Sequence, residues 1–304
     1  MTAVWFQLAL PPTLISYMKI TRLLPVILAA TMLANHLSAD FHDHLGLQLW
    51  SLRATTNDKT KGLPVSLDLM KGWGFTEIEG GIVTEGLTPE QVRAMVDARG
   101  LTMPSAHVPY DLLGKDLAGA VRAAQTLGVK YVICPWIPHE SGFDAATMQR
   151  AAELFNKAGE AFRAAGIKFG YHPHGYEFVP GAKAGDTLLD DLIRTTKPEN
   201  VCYEMDVFWV VHGGGNPLKL FEKYPTRWVA LHVKDIRKGA TIGFPTAKAP
   251  DTDNVTVGDG QIDWKAVIGA AQKIGIQYYF IEDETPFPMQ CIPASLAYLK
   301  ALKI

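Results

Sequence analysis

The chain has 304 residues, 48% of them hydrophobic and 20% charged, which is an ordinary globular composition. Its 29 Lys and Arg nearly balance 31 Asp and Glu, leaving no basic field for a polyanion and arguing against nucleic acid as a partner. Three cysteines, Cys134, Cys202 and Cys291, are too few for a disulfide framework, lack metal-knuckle spacing, and read as small buried hydrophobes.

The first element is a leader. From Met18 the sequence runs MKITRLLPVILAATMLANHLSADF, with Lys19 and Arg22 as a positive start. Leu23 to Leu33 follow as an apolar core, and Leu37-Ser38-Ala39 offers a small-residue cleavage site. The core is shorter than the roughly 20 residues that span a bilayer, so no stable membrane anchor is expected. Residues 1–39 are read as a secretory signal, with Met18 as the expected start of translation and a periplasmic destination.

The remaining residues, 40–304, alternate short apolar runs with helical periodicity. The runs are LGLQLW (45–50), FTEIEGG (75–81), TMPSAHV (102–108) and KYVICPW (130–136). They continue as IKFGYHPH (167–174), NVCYEMDVFW (200–209), RWVALHVKD (227–235) and IQYYFIEDE (276–284). Between them, 88–100 and 145–166 carry helical patterning, with Thr88 and Pro89 as N-cap and first residue and Gly100 as the stop. Eight strands separated by helices predict a single-domain α/β chain closed as a (β/α)8 TIM barrel. An open doubly wound sheet is the alternative, weakened by the lack of a glycine-rich phosphate loop after the first strand. The long irregular stretch 238–261 reads as a functional loop, a lid being the commonest use.

A barrel of this kind does its chemistry at the C-terminal ends of its strands. Those ends carry Glu79, His107, His172 and His174, then Glu204 and Asp206, then His232 and Asp235, and finally Glu282 and Glu284. Asp206, His232 and Glu282 offer oxygen and imidazole ligands suited to one divalent ion: Mn, Co, Zn or Mg. The fifth strand should add a fourth ligand. On a period of two, His172 and His174 share a face, so one can complete the metal shell while the other meets substrate or moves protons. Trp50, Trp136, Phe208 and Trp209, aromatics at strand ends, can stack on the C–H face of a sugar ring or pack between barrel and helices.

The words IEGG, YHPHGYEF, EMDVFWVVHGGGNP, LHVKD, VGDGQIDW and FIEDE, in this order over roughly residues 45 to 304, resemble the xylose isomerase-like sugar phosphate isomerase/epimerase superfamily. The resemblance implies a TIM barrel with a Glu, Asp, His, Glu metal set on strands five to eight. Asp206, His232 and Glu282 fall on that set, while His172 stands where the epimerases carry glutamate. This is similar to a branch marked YHxH that includes inosose dehydratase-like and 3-keto-sugar-processing members. Losing one of two glutamate bases suits elimination, hydration or one-sided isomerisation at least as well as epimerisation. Endonuclease relatives share the barrel but need a histidine three residues after the strand-six aspartate, where this chain has Trp209.

The expected activity is metal-dependent proton abstraction beside a carbonyl of a free or oxidised sugar or glycoside. Catalytic candidates are Glu282, His174, Lys234 and Glu204, with His172 a further possible base. Metal candidates are His172, Asp206, His232 and Glu282, and substrate contacts are Glu79, His107, Trp136, Trp209 and Glu177. Lys234, next to His232, reaches the site only if its strand breaks there. Glu204, one layer deeper than Asp206, suits orienting a ligand as well as touching substrate. A secreted metal-dependent hydrolase and a non-catalytic carbohydrate-binding barrel are the competing readings.

Overall fold

The computed structural model describes residues 1–2, 40–140 and 142–304, so all but the first two residues of the expected leader lie outside the described residues. Ten strands are present among them: β1 Leu45–Gln48, β2 Glu77–Gly81, β3 Thr102–His107, β4 Tyr131–Cys134, β5 Lys168–Tyr171, β6 Val201–Asp206, β7 Trp228–Val233, β8 Asp235–Ile236, β9 Asn254–Val255 and β10 Tyr278–Ile281. Strands β1 to β7 and β10 are parallel and close into a ring, each lying inside one apolar run of the sequence. Closure is explicit: β1 pairs with β2 (Gln48 opposite Glu79) and with β10 (Leu47 opposite Ile281). That removes the open-sheet alternative.

The helices between strands begin and end where local chemistry dictates. Thr88 and Gln91 form a reciprocal capping box at the start of the helix Pro89–Asp97. Asp144 caps the long helix Ala145–Ala164. Gly100 takes a left-handed φ of 61° after its helix, a geometry that costs an L-residue and lets the chain turn back into β3. Among the described residues no helix is long and apolar enough to cross a membrane.

Inside, the barrel is layered. Ala230, Tyr278 and Phe280 form a buried apolar plug at one level, and Gly46 makes room for it: a Cβ there would sit 2.5 Å from the Phe280 ring. Above the plug the inward positions turn polar, with Glu79, Ser105, Glu204 and His232 all essentially inaccessible to water. The β2–β3 and β6–β7 ladders each shift register immediately before Glu79 and Glu204, respectively. Such irregularities re-aim side chains, and here they fall next to the two deepest carboxylates.

Two runs end differently from the sequence reading. The run through Trp209 stops as a strand at Asp206, and Val207–His212 form a short helix. The run through Asp235 breaks after Val233, and the chain swings out to pair β8 with β9. The segment expected as a lid is pinned at its far end. Asp235 accepts backbone N–H groups from Gly258 (2.9 Å), Gly260 (3.2 Å) and Ile262 (3.3 Å), and the Trp264 indole N–H (2.9 Å).

Candidate metal centre

Four side chains converge at the C-terminal ends of β5, β6, β7 and β10. The β6–β7 register sets Asp206 opposite His232, and the β7–β10 register sets His232 opposite Phe280, two residues before Glu282. His172 lies one residue beyond β5 and extends its ladder by donating its backbone N–H to Cys134 O (3.0 Å). Asp206 uses its Oδ1 to cap the following helix, accepting the Trp209 N–H at 2.9 Å. Its Oδ2 is left buried with no hydrogen-bond partner. From that oxygen, His172 Nε2 is 3.6 Å away and His232 Nδ1 4.0 Å; His232 Nδ1 lies 3.5 Å from Glu282 Oε2. His232 Nδ1 is likewise buried without a partner.

Beneath these atoms sits a second tier. Glu204 Oε2 accepts from His172 Nδ1 (3.0 Å) and His107 Nε2 (3.3 Å) and lies 3.1 Å from His232 Nε2. Glu79 Oε2 accepts from His232 Nε2 (2.6 Å) and lies 3.0 Å from His107 Nε2, while its Oε1 accepts the Ser105 hydroxyl (2.5 Å). Anchoring one nitrogen of an imidazole to a carboxylate fixes which nitrogen carries the proton. The opposite nitrogens, His172 Nε2 and His232 Nδ1, then face Asp206 and Glu282. Two overlapping groups could in principle hold an ion: His107, His172, Glu204 and His232 below, and Asp206, His232 and Glu282 above. The lower contacts are already hydrogen-bonded pairs. Asp206 Oδ2 and His232 Nδ1, both without a partner, face each other in the upper group, where a mixed nitrogen and oxygen donor set fits a divalent cation; in the lower tier Glu204 Oε1 is also without a partner.

The electrostatics follow from burial and crowding. Burial raises the Asp206 carboxyl to about 7, with neighbouring Glu282 adding to the rise. Burial and the adjacent His232 hold His172 below the ordinary imidazole range, and burial holds His174 well below it, helped by His172. Burial opposes charging of His107 and His232 too, but the carboxylates win. Glu79 and Glu204 bring His107 to about 9 and His232 well above its usual value. Without a cation, protons fill the positive role that the carboxylates demand.

The other expected residues divide into two sets. His174 lies at the cavity with Trp136 and Trp209, its ring 4.7 Å from that of His172, and its Nδ1 is buried without a partner. Lys234 does reach the centre, because β7 ends at Val233. Its ammonium is 3.3 Å from Glu282 Oε2, contacts Glu284, and lies 5.0 Å from the centre of the Trp209 ring. His107 borders the cavity. Glu79 does not, since both its oxygens are occupied below the histidines, where a sugar hydroxyl has no access. Glu177 is also placed elsewhere. It is fully buried, accepting from the Tyr171 hydroxyl and from the His174 backbone N–H (3.1 Å), so it holds the loop that carries His174.

Two further residues belong to this arrangement, Gln48 and Ser105, beside Trp50 and Glu284 from the strand ends. Gln48 Nε2 lies 3.3 Å from His107 Nδ1. A polar residue near the end of each apolar run, in LGLQLW and TMPSAHV, was the available signal for Gln48 and Ser105.

Comparison with known proteins agrees with this architecture. The model of the family described as the xylose isomerase-like TIM barrel matches residues 67–302. The chain belongs to that family. It is 28% identical over 163 residues to inosose dehydratase of Lacticaseibacillus casei, an alignment covering 51% of this chain and 52% of that one. The chain thus spans about half the length of the curated relatives it matches. A sugar phosphate isomerase/epimerase from Parabacteroides distasonis ATCC 8503 superposes with a TM-score of 0.68 at 25% identity, covering 85% of this chain and 96% of that one. The IolI protein, crystallised with a bound zinc atom, shares the fold with a TM-score of 0.64 at 18% identity, covering 84% and 95%.

Proposed function

We propose that this family member binds one divalent cation, Mn, Co, Zn or Mg, through His172 Nε2, Asp206 Oδ2, His232 Nδ1 and Glu282 Oε2. We further propose that it acts as a sugar isomerase/epimerase or lyase by removing a proton beside a carbonyl of a free or oxidised sugar or glycoside. The observation that carries this reading is the pair of buried, partnerless atoms, Asp206 Oδ2 and His232 Nδ1, aimed at one point beside His172 and Glu282. A bound cation would supply Lewis-acid polarisation of the substrate carbonyl.

The chain's own residues do the rest. Glu204 and Glu79 orient the two ligand imidazoles. His174, neutral because burial disfavours its charged form, offers its imidazole at the cavity wall to the substrate α-proton. In a β-elimination the C–H pair becomes the new C=C bond, the neighbouring C–O bond breaks, and a returned proton lets the hydroxyl leave as water. One imidazole on one face fits elimination or one-sided isomerisation better than a symmetrical two-base epimerisation. Lys234 keeps Glu282 and Glu284 compensated at the cavity wall.

Residues 1–39 act, in this reading, as an export leader cleaved near Ala39. A periplasmic enzyme meets free and oxidised sugars rather than sugar phosphates. N-terminal sequencing of the protein from its native host should therefore find Asp40 near the start.

The activity is tested by incubating metal-loaded protein with a panel of keto-sugars and glycosides in D2O, followed by NMR. The reading expects exchange of the α-proton, with an unsaturated product if elimination follows, and loss of both after chelation. Uptake of solvent ¹⁸O with cleavage of a glycosidic or ester bond and no α-proton exchange would identify a hydrolase instead.

A further inference from the structure

The cavity over the ligand set continues sideways. Its inner lobe, about 470 Å³, carries His172, His174 and Glu282; an outer lobe of about 430 Å³ lies over the ends of β1, β2 and β3. Gln48, Trp50, His107 and Pro135 line both lobes, which makes them one cleft. Each lobe alone has the volume of a small-ligand pocket.

The chemistry of the lobes differs. The outer one has Arg53, Thr56, Asn57, Thr84 and Glu85 around an apolar floor. These groups can bond neutral hydroxyls, whereas one arginine opposed by one glutamate does not make a phosphate site. Trp50 stands where the lobes meet, and 51% of its surface is exposed. It is nevertheless held in place: its indole N–H donates to Glu284 Oε1 (2.9 Å), and the Arg53 guanidinium lies 5.2 Å from the ring centre. Glu284 is held in turn by Lys234, which touches the ligand Glu282. A large exposed aromatic ring that is fixed by polar contacts offers a flat apolar face at low entropic cost.

We infer that the outer lobe is a subsite for a second sugar ring, so that the substrate is a disaccharide or a comparable glycoside whose reacting ring occupies the inner lobe. This rests on the inner lobe being the sugar site proposed above. The C–H face of the second ring packs on Trp50, and its hydroxyls reach Asn57, Thr84 and Glu85.

The test uses the metal-loaded protein and four probes: glucose, cellobiose, and the 3-keto form of each. Binding is followed by calorimetry in the wild type, in Thr84→Trp, which fills the outer lobe, and in Asn57→Ala, a milder change. The inference expects cellobiose or its keto form to bind at least tenfold tighter than the matching monosaccharide. Thr84→Trp should erase that advantage and Asn57→Ala should reduce it. Equal affinity within both pairs, an advantage that survives both variants, or no binding by any probe overturns the subsite. Exchange of the α-proton of 3-keto-glucose, measured on the same samples, shows separately whether the inner-lobe reading stands.

Discussion

His232 Nε2 lies 2.6 Å from Glu79 Oε2, a contact that crosses the barrel from β7 to β2 and is sealed from water on both sides. It ties the orientation of a proposed metal ligand to a carboxylate buried away from the cavity. Glu79→Gln keeps the shape but removes the charge that draws the proton onto Nε2. Metal affinity should fall by roughly 10–100-fold, the effect typical of such supporting partners. Competition against a chromophoric chelator measures it, and an unchanged affinity would mean that Glu79 does not set the His232 tautomer.

Lys234 is buried against two carboxylates, Glu282 and Glu284. Lys234→Met leaves them uncompensated. The metal-free variant should lose about 3 kcal/mol of stability, toward the low end for breaking a buried pair because Glu284 retains some water contact. Metal loading should recover part of that loss, since the cation compensates Glu282. Chemical denaturation with and without metal reads both effects. An apoprotein as stable as wild type would show that the ammonium is no structural counterion.

Metal binding should release protons. In the metal-free centre Asp206 is pushed to about 7 and His232 is held protonated. A cation needs both groups deprotonated at the coordinating atoms, so ion and proton compete. Falling pH therefore weakens binding, beginning where His232 takes up its proton and steepening near pH 7 as Asp206 does. Calorimetry in buffers of different ionisation enthalpy should report net proton release at pH 6.5, and pH-independent affinity between 5.5 and 7.5 would contradict the assignment.

All eight barrel strands were legible because each is a short apolar run, and helices such as Pro89–Asp97 carry their caps in the sequence. The ends were harder. Trp209 sits in an apolar run that reads as strand, yet Asp206 caps a helix there, and a periodicity argument has no term for a side chain that stops the strand. Lys234 points inward only because β7 gives way to β8, a departure driven by pairing with Asn254–Val255, some twenty residues away. Glu79 reads like any carboxylate at a strand end. Its depth depends on the register shift with β3, which is a property of two strands together. Glu177 shares a motif with the two histidines, but the chain turns after His174 and carries it behind the barrel wall.

The most direct test of the account is the metal content of His172→Ala and His174→Ala, each purified from the native host beside the wild type and measured by inductively coupled plasma mass spectrometry. The rings lie 4.7 Å apart, yet only His172 faces Asp206 Oδ2. The wild type and His174→Ala should each hold one divalent ion per chain, with turnover in His174→Ala lower by roughly 10²–10⁴-fold, the range of general acid–base catalysis. His172→Ala should be depleted of metal. Full occupancy in His172→Ala together with loss in His174→Ala, or a wild type with no divalent ion, would contradict the proposed centre.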